Sequence, residues 1–314
     1  MPRYGVIDIG SNGIRMILAE VRDGQVQVLW ARREHVRLGK DVYRDGEISA
    51  AVMAEVVAAA RGFSRDCQAA AVEQTKAVAT AATREALNRD ELVTRVKQAT
   101  GIDVEVISGD REAWLLCLAV AEHMDLGMGR SLLLDLGGGS VELGTLDGGS
   151  VHGASFPLGA LRLLRRTLDE TGSDSGADLI ASLSQQIEAH RDALSAICLP
   201  PFQRYVGVGG SIETLGDLAR QDGDTTDMDG VLAVSLDTLR GWQTRLAKLP
   251  PGERQARYEL PPERVDTIVP AALVTTFVGE LANVDHVRIP RVDLRHGLLR
   301  ELAGATLSPG DGDD

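Results

Sequence analysis

The chain is poor in aromatic residues and cysteine, and it has no long apolar run. Phe, Trp and Tyr make up 4% of its 314 residues, so the core must be built mainly from Val, Leu, Ile and Ala. Its three cysteines, Cys67, Cys117 and Cys198, lie far apart without Cys-x-x-Cys spacing, which indicates reduced, buried thiols. No apolar run is long enough to span a bilayer, and no signal peptide precedes the first strand. We therefore expect a cytoplasmic protein that does not bind membranes.

Positive charge is also scarce. The chain has 33 Lys and Arg residues against 46 Asp and Glu residues, a net charge of -13. A nucleic-acid partner is disfavoured, because it would need clustered Lys and Arg. A polyanionic substrate is still compatible with this charge, since the field inside a cleft depends on the lining of that cleft. The six histidines show no metal-ligand spacing.

One pattern occurs twice: an apolar strand that ends in Asp-x-Gly and turns into a second strand. The copies begin at Tyr4 and Leu132, carry Asp8 and Asp135, and continue to the hairpin dipeptides Asp23-Gly24 and Asp147-Gly148. An Asp at the end of a strand can hold hydrated Mg²⁺, and the small residues after it let backbone N–H groups approach phosphate. Asp and Gly are also ordinary turn residues. Two copies in matching context favour a duplicated, phosphate-handling fold with a cleft between its halves.

Other segments could carry chemistry. Gly209-Gly210-Ser211 follows a strand and opens a helix, which suits either phosphate binding or a tight connection. Glu112 lies in the first turn of a helix, where the helix dipole favours it; if it faces Asp135, its raised pKa would make it a general base. Arg15 and Arg84 are either surface charges or bidentate phosphate ligands. The acidic stretch 222–229 lacks the Gly and Glu of a calcium loop and is interpreted as a surface loop.

The order of elements predicts two α/β domains. In the first, residues 1–124, three strands precede a turn at 41–46, and helices at about 49–70, 82–101 and 108–123 alternate with strands at 76–80 and 102–107. The second, 125–307, begins with a hairpin, continues with helices at 160–168 and 177–197 and a strand at 204–208, and is then mainly helical up to a strand at 285–289 and a terminal helix from 293. The polar, acidic residues 308–314 are predicted to be disordered.

Eight segments resemble, in order, those of the exopolyphosphatase / guanosine pentaphosphate phosphohydrolase family within the actin-like ATPase and sugar-kinase superfamily. They are DIGSN (8–12), RLG (37–39), ATAATREA (79–86), ISGDREAWL (107–115), LDLGGGSVEL (134–143), PLGALRL (157–163), GVGGSIETL (207–215) and ERVDTIVPA (263–271). The resemblance spans about residues 4–300 and implies two ribonuclease H-like (actin-like ATPase) domains with an interdomain cleft. It also implies a homodimer.

The activity implied is Mg²⁺-dependent release of terminal orthophosphate from inorganic polyphosphate, with Mn²⁺ as a substitute metal. The nearest alternative is hydrolysis of the 5′ γ-phosphate of guanosine pentaphosphate. A protein that senses phosphate or a nucleotide without hydrolysis belongs to a different class, and the retained carboxylates argue against it. A sugar kinase is less well supported, because no separate sugar-binding motif stands out.

The resemblance assigns a role to each motif residue. Glu112 matches the glutamate that activates water, and Asp135, Glu142 and Asp8 match metal-binding carboxylates. The implied phosphate-binding residues are Ser11, Asn12, Gly13, Arg15, Arg84, Gly137, Gly138, Gly139, Ser140, Gly209, Gly210, Ser211 and Arg264.

The chain departs from the family pattern in three ways. Gly13 stands where the family usually has Ser, so one hydroxyl contact to phosphate is missing. Residues 293–297 read Asp-Leu-Arg-His-Gly where the family has Gly-Leu-Arg-Glu-Gly. The length matches the short form, without the C-terminal helical domains of longer members. With few basic contacts beyond Arg15, Arg84, Arg111, Arg162 and Arg264, we expect polyphosphate to be shortened distributively.

Overall fold

The computed structural model describes residues 1–22, 25–124 and 126–304 and the two-residue strand 308–309. Its first sheet has the strand order β3-β2-β1-β4-β5. The first three strands form an antiparallel meander, while β4 and β5 are parallel to β1. The strands are β1 Arg3–Gly10, β2 Gly13–Arg22, β3 Gln25–Glu34, β4 Gln74–Ala79 and β5 Val104–Val106. The predicted turn dipeptide Asp23-Gly24 lies outside the described residues.

The second sheet repeats this arrangement. Within its order β10-β11-β12-β9-β6-β7-β8-β13, the strands β8-β7-β6-β9-β12 correspond to β3-β2-β1-β4-β5, with the same antiparallel and parallel pairings. The predicted duplication of the fold is thereby confirmed. The strands are β6 Ser131–Leu136, β7 Val141–Asp147, β8 Ser150–Phe156, β9 Arg204–Val208, β10 Thr226–Met228, β11 Val231–Ser235, β12 His286–Ile289 and β13 Ser308–Pro309.

The helices of the first half are α1 Leu38–Asp45, α2 Ala50–Ala69, α3 Ala81–Glu85, α4 Arg89–Thr100 and α5 Gly109–His123. Ser49 and Ser108 cap α2 and α5: their side-chain oxygens accept hydrogen bonds from the backbone N–H groups of Val52 and Arg111 at 3.3 and 3.2 Å. The predicted turn at 41–46 is wrong: these residues form the end of α1, and Gly46 is its left-handed C-cap at φ 75°.

The predicted single helix at 82–101 is also wrong, since it breaks between α3 and α4. Ala86 is extended. The Asn88 side chain binds the backbone of Ile48 through both its oxygen and its nitrogen, at 3.0 and 2.9 Å. This tertiary contact fixes the chain where local propensity alone would continue the helix.

The second half contains the helices α6 Ala160–Thr171, α7 Gly176–Glu188, α8 Arg191–Ile197, α9 Gly210–Gln221, α10 Leu236–Ala247, α11 Pro251–Tyr258, α12 Ile268–Leu281 and α13 Leu294–Leu302. Part of the stretch predicted as a surface loop is instead the edge strand β10. It pairs with β11 across a two-residue turn, Asp229-Gly230, whose φ angles of 56° and 78° fit a hairpin. None of the helices in the described ranges has both the length and the apolar character needed to cross a bilayer.

Helices α5 and α13 connect the two halves. Leu294, Leu298 and Leu299 of α13 are buried against Val6 and Ile17 of the first sheet, while α5 packs on β7 and β8 of the second. Elements distant in sequence therefore hold the two sheets next to each other. The domain boundaries stay a prediction. Apart from the backbone of 308–309, the predicted disordered tail lies outside the described residues.

Candidate active site

A cavity lies where the β1–β2 turn, the β6–β7 loop and the start of α9 meet. The first two loops approach closely, because a Cβ on Gly138 would lie 3.2 Å from the Cβ of Ser11. The structure brings every predicted site residue except Arg84 to this cavity, which is also lined by Gly10, Arg33, Thr80, Leu136, Ala160, Thr267 and Leu294. The predicted residues that line it are Asp8, Ser11, Asn12, Gly13, Arg15, Glu112, Asp135, Gly137, Gly138, Gly139, Ser140, Glu142, Gly209, Gly210, Ser211 and Arg264.

The second hairpin presents two carboxylates side by side. Asp135 and Glu142 are direct partners in the β6–β7 register, which puts their side chains on the same face of the sheet. Burial and the charge of Glu142 raise the pKa of Asp135 to about 8. Burial also raises the pKa of Glu142, although its carboxylate accepts a 2.8 Å hydrogen bond from Ser155 Oγ. Two carboxylates this close favour either a bound proton or a bound cation.

The first hairpin pairs its aspartate with an arginine. Asp8 lies opposite Arg15 in the β1–β2 register, and the Nε and Nη2 atoms of Arg15 donate to Asp8 Oδ2 at 3.0 and 2.6 Å. Burial disfavours the charge on Arg15, but Asp8 and Asp293 outweigh it and raise the pKa of the guanidinium. The second oxygen of Asp8, Oδ1, is buried and has no partner among the described residues. It is thus available to a ligand in the cavity.

Glu112 is a buried carboxylate, with 6% of its surface exposed. Arg84 Nη1 donates hydrogen bonds to Glu112 Oε1 and, at 2.8 Å, to the Ile107 carbonyl oxygen. Burial, reinforced by the charge of Glu142, raises the pKa of Glu112 well above its ordinary value, although Arg84 opposes this shift. A carboxylate with a raised pKa is a stronger base. In this structure Arg84 positions Glu112 rather than lining the cavity.

Glycine is required at two positions in these loops. Gly209 has φ 112°, and a Cβ there would lie 2.6 Å from the carbonyl oxygen of Leu136. A Cβ on Gly139 would lie 1.6 Å from the hydroxyl oxygen of Tyr43, which also hydrogen bonds to Ser11 Oγ at 2.8 Å. Tyr43 of the first half therefore rests on the glycine loop of the second and fixes the width of the cleft.

Two of the expected polyphosphate contacts have other partners. Arg162 donates from Nε to the carbonyl oxygen of Gly139 at 2.7 Å, so it supports the glycine loop. Arg111 pairs with Glu301 and stacks on Trp114, 4.6 Å from the ring centroid. Neither is among the residues that line the cavity.

Arg264 and Arg33 supply positive charge. The guanidinium of Arg264 makes no hydrogen bond or ion pair with any described residue, and burial together with repulsion from Arg33 and Arg15 lowers its pKa to about 10. The sequence did not single out Arg33, which donates from Nη2 to the Asn12 carbonyl oxygen at 3.2 Å. The strand register would have identified it, because Arg33 lies directly beside Arg15 on β3.

The donor set suits a hard cation held partly through water. Asp8, Asp135, Glu142 and Glu112 offer only oxygen, the ligand atom that Mg²⁺ prefers. No three Asp, Glu, His or Cys side chains in the described parts of the chain are grouped closely enough to ligate one ion directly. Mg²⁺ usually keeps several waters and is held by one or two carboxylates together with substrate phosphates, so the arrangement fits this mode.

Known proteins match nearly the whole length of the chain. Residues 17–305 of the chain match the Ppx/GppA phosphatase family. The chain is 29% identical to exopolyphosphatase 1 of Mycobacterium leprae, over 96% of this chain and 89% of that protein. It is 26% identical to a guanosine-5′-triphosphate,3′-diphosphate pyrophosphatase of Aeromonas salmonicida, over 96% of this chain but 60% of that protein.

Solved structures confirm the predicted fold class. A Ppx/GppA family member from Aquifex aeolicus matches with a TM-score of 0.79 and 26% identity, over 96% of this chain and 97% of that one. An exopolyphosphatase from Cytophaga hutchinsonii has the same fold, with a TM-score of 0.85 at 24% identity over 98% and 99% of the two chains. The architecture is thus that of two actin-like α/β halves around a cleft. With most of its length matched, the chain belongs to the Ppx/GppA phosphatase family.

Proposed function

We propose that this protein is a Mg²⁺-dependent exopolyphosphatase that releases terminal orthophosphate from inorganic polyphosphate. Its family makes it a hydrolase of phosphoric anhydrides. The observation that carries the proposal is the position of Glu112. This buried carboxylate is held by Arg84 and lies in one cavity with two glycine loops and the Asp135–Glu142 pair.

The terminal phosphate would be bound between the two glycine loops. Backbone N–H groups at 11–13 and 138–140 and the start of α9 would provide donors for its oxygens, and Arg264 would add positive charge. Phosphoryl transfer depends on such positioning and on neutralising charge, because the transition state spreads negative charge over the phosphoryl oxygens. These loops meet across the cleft, so the substrate would contact both halves.

Asp135, Glu142 and Oδ1 of Asp8 would hold Mg²⁺, or Mn²⁺ in its place, partly through the waters that the ion keeps. The unpaired Oδ1 of Asp8 and the raised pKa of Asp135 are the observations that support this assignment. A divalent cation bound there supplies charge neutralisation for the phosphate being transferred.

Glu112 would remove a proton from the attacking water. Burial keeps this carboxylate basic, and the hydrogen bond from Arg84 restricts its orientation. A base must lie within hydrogen-bond reach of the proton it removes, and a fixed rotamer increases the fraction of time spent in reach. Arg84 would thereby contribute to turnover without contacting phosphate.

Polyphosphate is favoured over guanosine pentaphosphate by the comparisons. The exopolyphosphatase relative is matched along 89% of its length and the pyrophosphatase relative along 60%. The protein would act in the cytoplasm, in keeping with three buried cysteines that form no disulfide. The homodimer stays a prediction, to be checked by analytical ultracentrifugation.

The deciding experiment compares orthophosphate release from long-chain polyphosphate, guanosine pentaphosphate and ATP, each with and without Mg²⁺. We expect polyphosphate to give the highest kcat/KM and chelation to abolish release. Faster release from guanosine pentaphosphate would reverse the substrate assignment. Tight binding of polyphosphate without release from any substrate would instead indicate a sensor.

A further inference from the structure

A second pocket adjoins the cavity and is strongly basic. Arg15, Arg33 and Arg264, with Gly209 and Gly210, line both spaces and form their junction. Asp8, Glu112, Asp135 and Glu142 line only the first space. A phosphate chain that has its terminal group at the carboxylates and extends into the second pocket would pass three guanidinium groups.

The three arginines at the junction differ in how many carboxylates they pair with. Arg15 has two carboxylate partners, Asp8 at 2.6 Å and Asp293 at 3.4 Å. Arg33 has one, Glu263, at 3.3 Å, and Arg264 has none among the described residues. Burial and mutual repulsion lower the pKa values of Arg33 and Arg264. The guanidinium of Arg264 thus carries a positive charge without an ion-pair partner among the described residues, and an anion bound in the junction would supply one.

Arg33 also has an unused donor. Its Nε atom is buried and makes no hydrogen bond within the described residues, although 23% of the side chain as a whole is exposed. A buried donor without an acceptor costs free energy, so such groups in native proteins usually have a partner. A phosphate oxygen in the junction would satisfy it.

Gly13 makes room for this guanidinium. Its φ of 153° is unfavourable for other residues, and a Cβ there would lie 3.2 Å from Arg33 Nε and 3.1 Å from the Glu34 carbonyl oxygen. A side chain at position 13 would compete with Arg33 for the same space. The two residues therefore act as a pair, in which the absence of one side chain allows the other to reach the cavity.

We infer that Arg33 is a substrate-binding residue, which holds with Arg264 a phosphate group adjacent to the one being removed. This inference rests on the proposed function. Because that phosphate stays bound in both ground and transition state, Arg33 should affect KM more than kcat.

The test is calorimetric binding of tripolyphosphate and of orthophosphate, together with steady-state kinetics on tripolyphosphate. We expect Arg33→Gln to weaken tripolyphosphate binding about 10- to 100-fold, the range for one hydrogen bond to a charged group. Orthophosphate, which has no second phosphate, should bind within about threefold of wild type, and kcat should change little. Arg33→Lys should restore part of the affinity because it keeps the charge.

Two further variants separate binding from structural support. Glu263→Gln should tighten tripolyphosphate binding, since it removes the carboxylate that competes for Arg33. Arg240→Gln removes an exposed arginine paired with Asp237 and Glu280 and serves as a control of equal charge change, with no expected effect. If Arg33 were only a structural ion-pair partner, Arg33→Gln and Glu263→Gln would lower the melting temperature alike and would not shift affinity in opposite directions.

The outcomes distinguish the two proposals. If wild type releases orthophosphate from no phosphoanhydride, the proposed function fails, while the binding series still reports on Arg33. If wild type hydrolyses tripolyphosphate but Arg33→Gln binds it as tightly as wild type, the inference about Arg33 is overturned. Should Arg33→Gln fail to fold, the opposite affinity shifts expected from Arg33→Lys and Glu263→Gln decide in its place.

Discussion

The two halves of the molecule carry rows of side chains at equivalent positions, and the two rows differ in total charge. Across β1, β2 and β3 the sequence of neighbours is Asp8, Arg15, Arg33. Across β6, β7 and β8 it is Asp135, Glu142, Ser155. In the first row arginine neutralises the aspartate and leaves surplus positive charge, whereas in the second two carboxylates face each other with raised pKa values. A duplicated fold can thus divide its cleft into a side for anions and a side for a cation.

The largest effect on kcat should come from changing Glu112, a carboxylate that belongs to neither row. Glu112→Gln keeps the size of the side chain but cannot accept a proton, and a general base commonly contributes about 10²- to 10⁴-fold to the rate. We expect kcat to fall by that factor with folding intact. Asp110→Asn, an exposed acidic residue of the same helical turn, is the matched control. A Glu112→Gln enzyme with near wild-type kcat would remove this residue from catalysis.

The second-largest effect, on Mg²⁺ affinity, should come from changing a carboxylate of the row formed by Asp135, Glu142 and Ser155. Asp135→Asn removes one of two facing charges, so we expect Mg²⁺ to bind at least 10- to 100-fold more weakly, the range seen when even indirect metal contacts are lost. Titration of activity with Mg²⁺ measures this, with Asp227→Asn on the edge strand β10 as control. An unchanged Mg²⁺ requirement in Asp135→Asn would contradict the proposal that the row of Asp135 and Glu142 binds the cation.

A smaller effect is expected in the pH dependence of stability, which should reflect the carboxylates of the second row, Asp135 and Glu142. The folded pKa of Asp135 is about 8 against an ordinary value of 3.8, so above pH 4 the unfolded chain loses this proton while the folded chain keeps it. Stability of the Mg²⁺-free protein should therefore fall between pH 4 and 8, and burial of Glu112 and Glu142 acts in the same direction. Melting temperatures with EDTA should show this, and Asp135→Asn should flatten the profile. The stabilisation by Mg²⁺ should grow over the same interval, and a constant increment would argue against a cation at these carboxylates.

The smallest effect concerns processivity, that is, whether a long polyphosphate chain is released after each hydrolysis. With anion contacts concentrated at one cleft, release should compete with the next hydrolysis, and higher salt should weaken binding because the contacts are electrostatic. We expect intermediate lengths to appear early on a gel. Disappearance of long chains without intermediates would show processive hydrolysis and an extended binding surface beyond the anion side of the cleft.

Local sequence was sufficient to predict the main features of the site. Two Asp-x-Gly turns, a paired-glycine helix start and a carboxylate in the first turn of α5 are each set by residues within one turn or hairpin. Their place at strand ends follows from the pattern of apolar residues. The duplication was also visible, because both halves repeat the same order of strand and turn.

Only the tertiary structure decided what these residues contact. The register of three strands brings Arg33 beside Arg15, and the side chain of Arg84 reaches from α3 to Glu112 at the start of α5. The helix break at Ala86 and the position of α13 on the first sheet depend on equally distant partners. Such contacts join residues far apart in the chain, and neither periodicity nor turn preference contains that information. The sequence by itself therefore determined which chemical groups are available, while the charge of each side of the cleft depended on which strands lie next to each other.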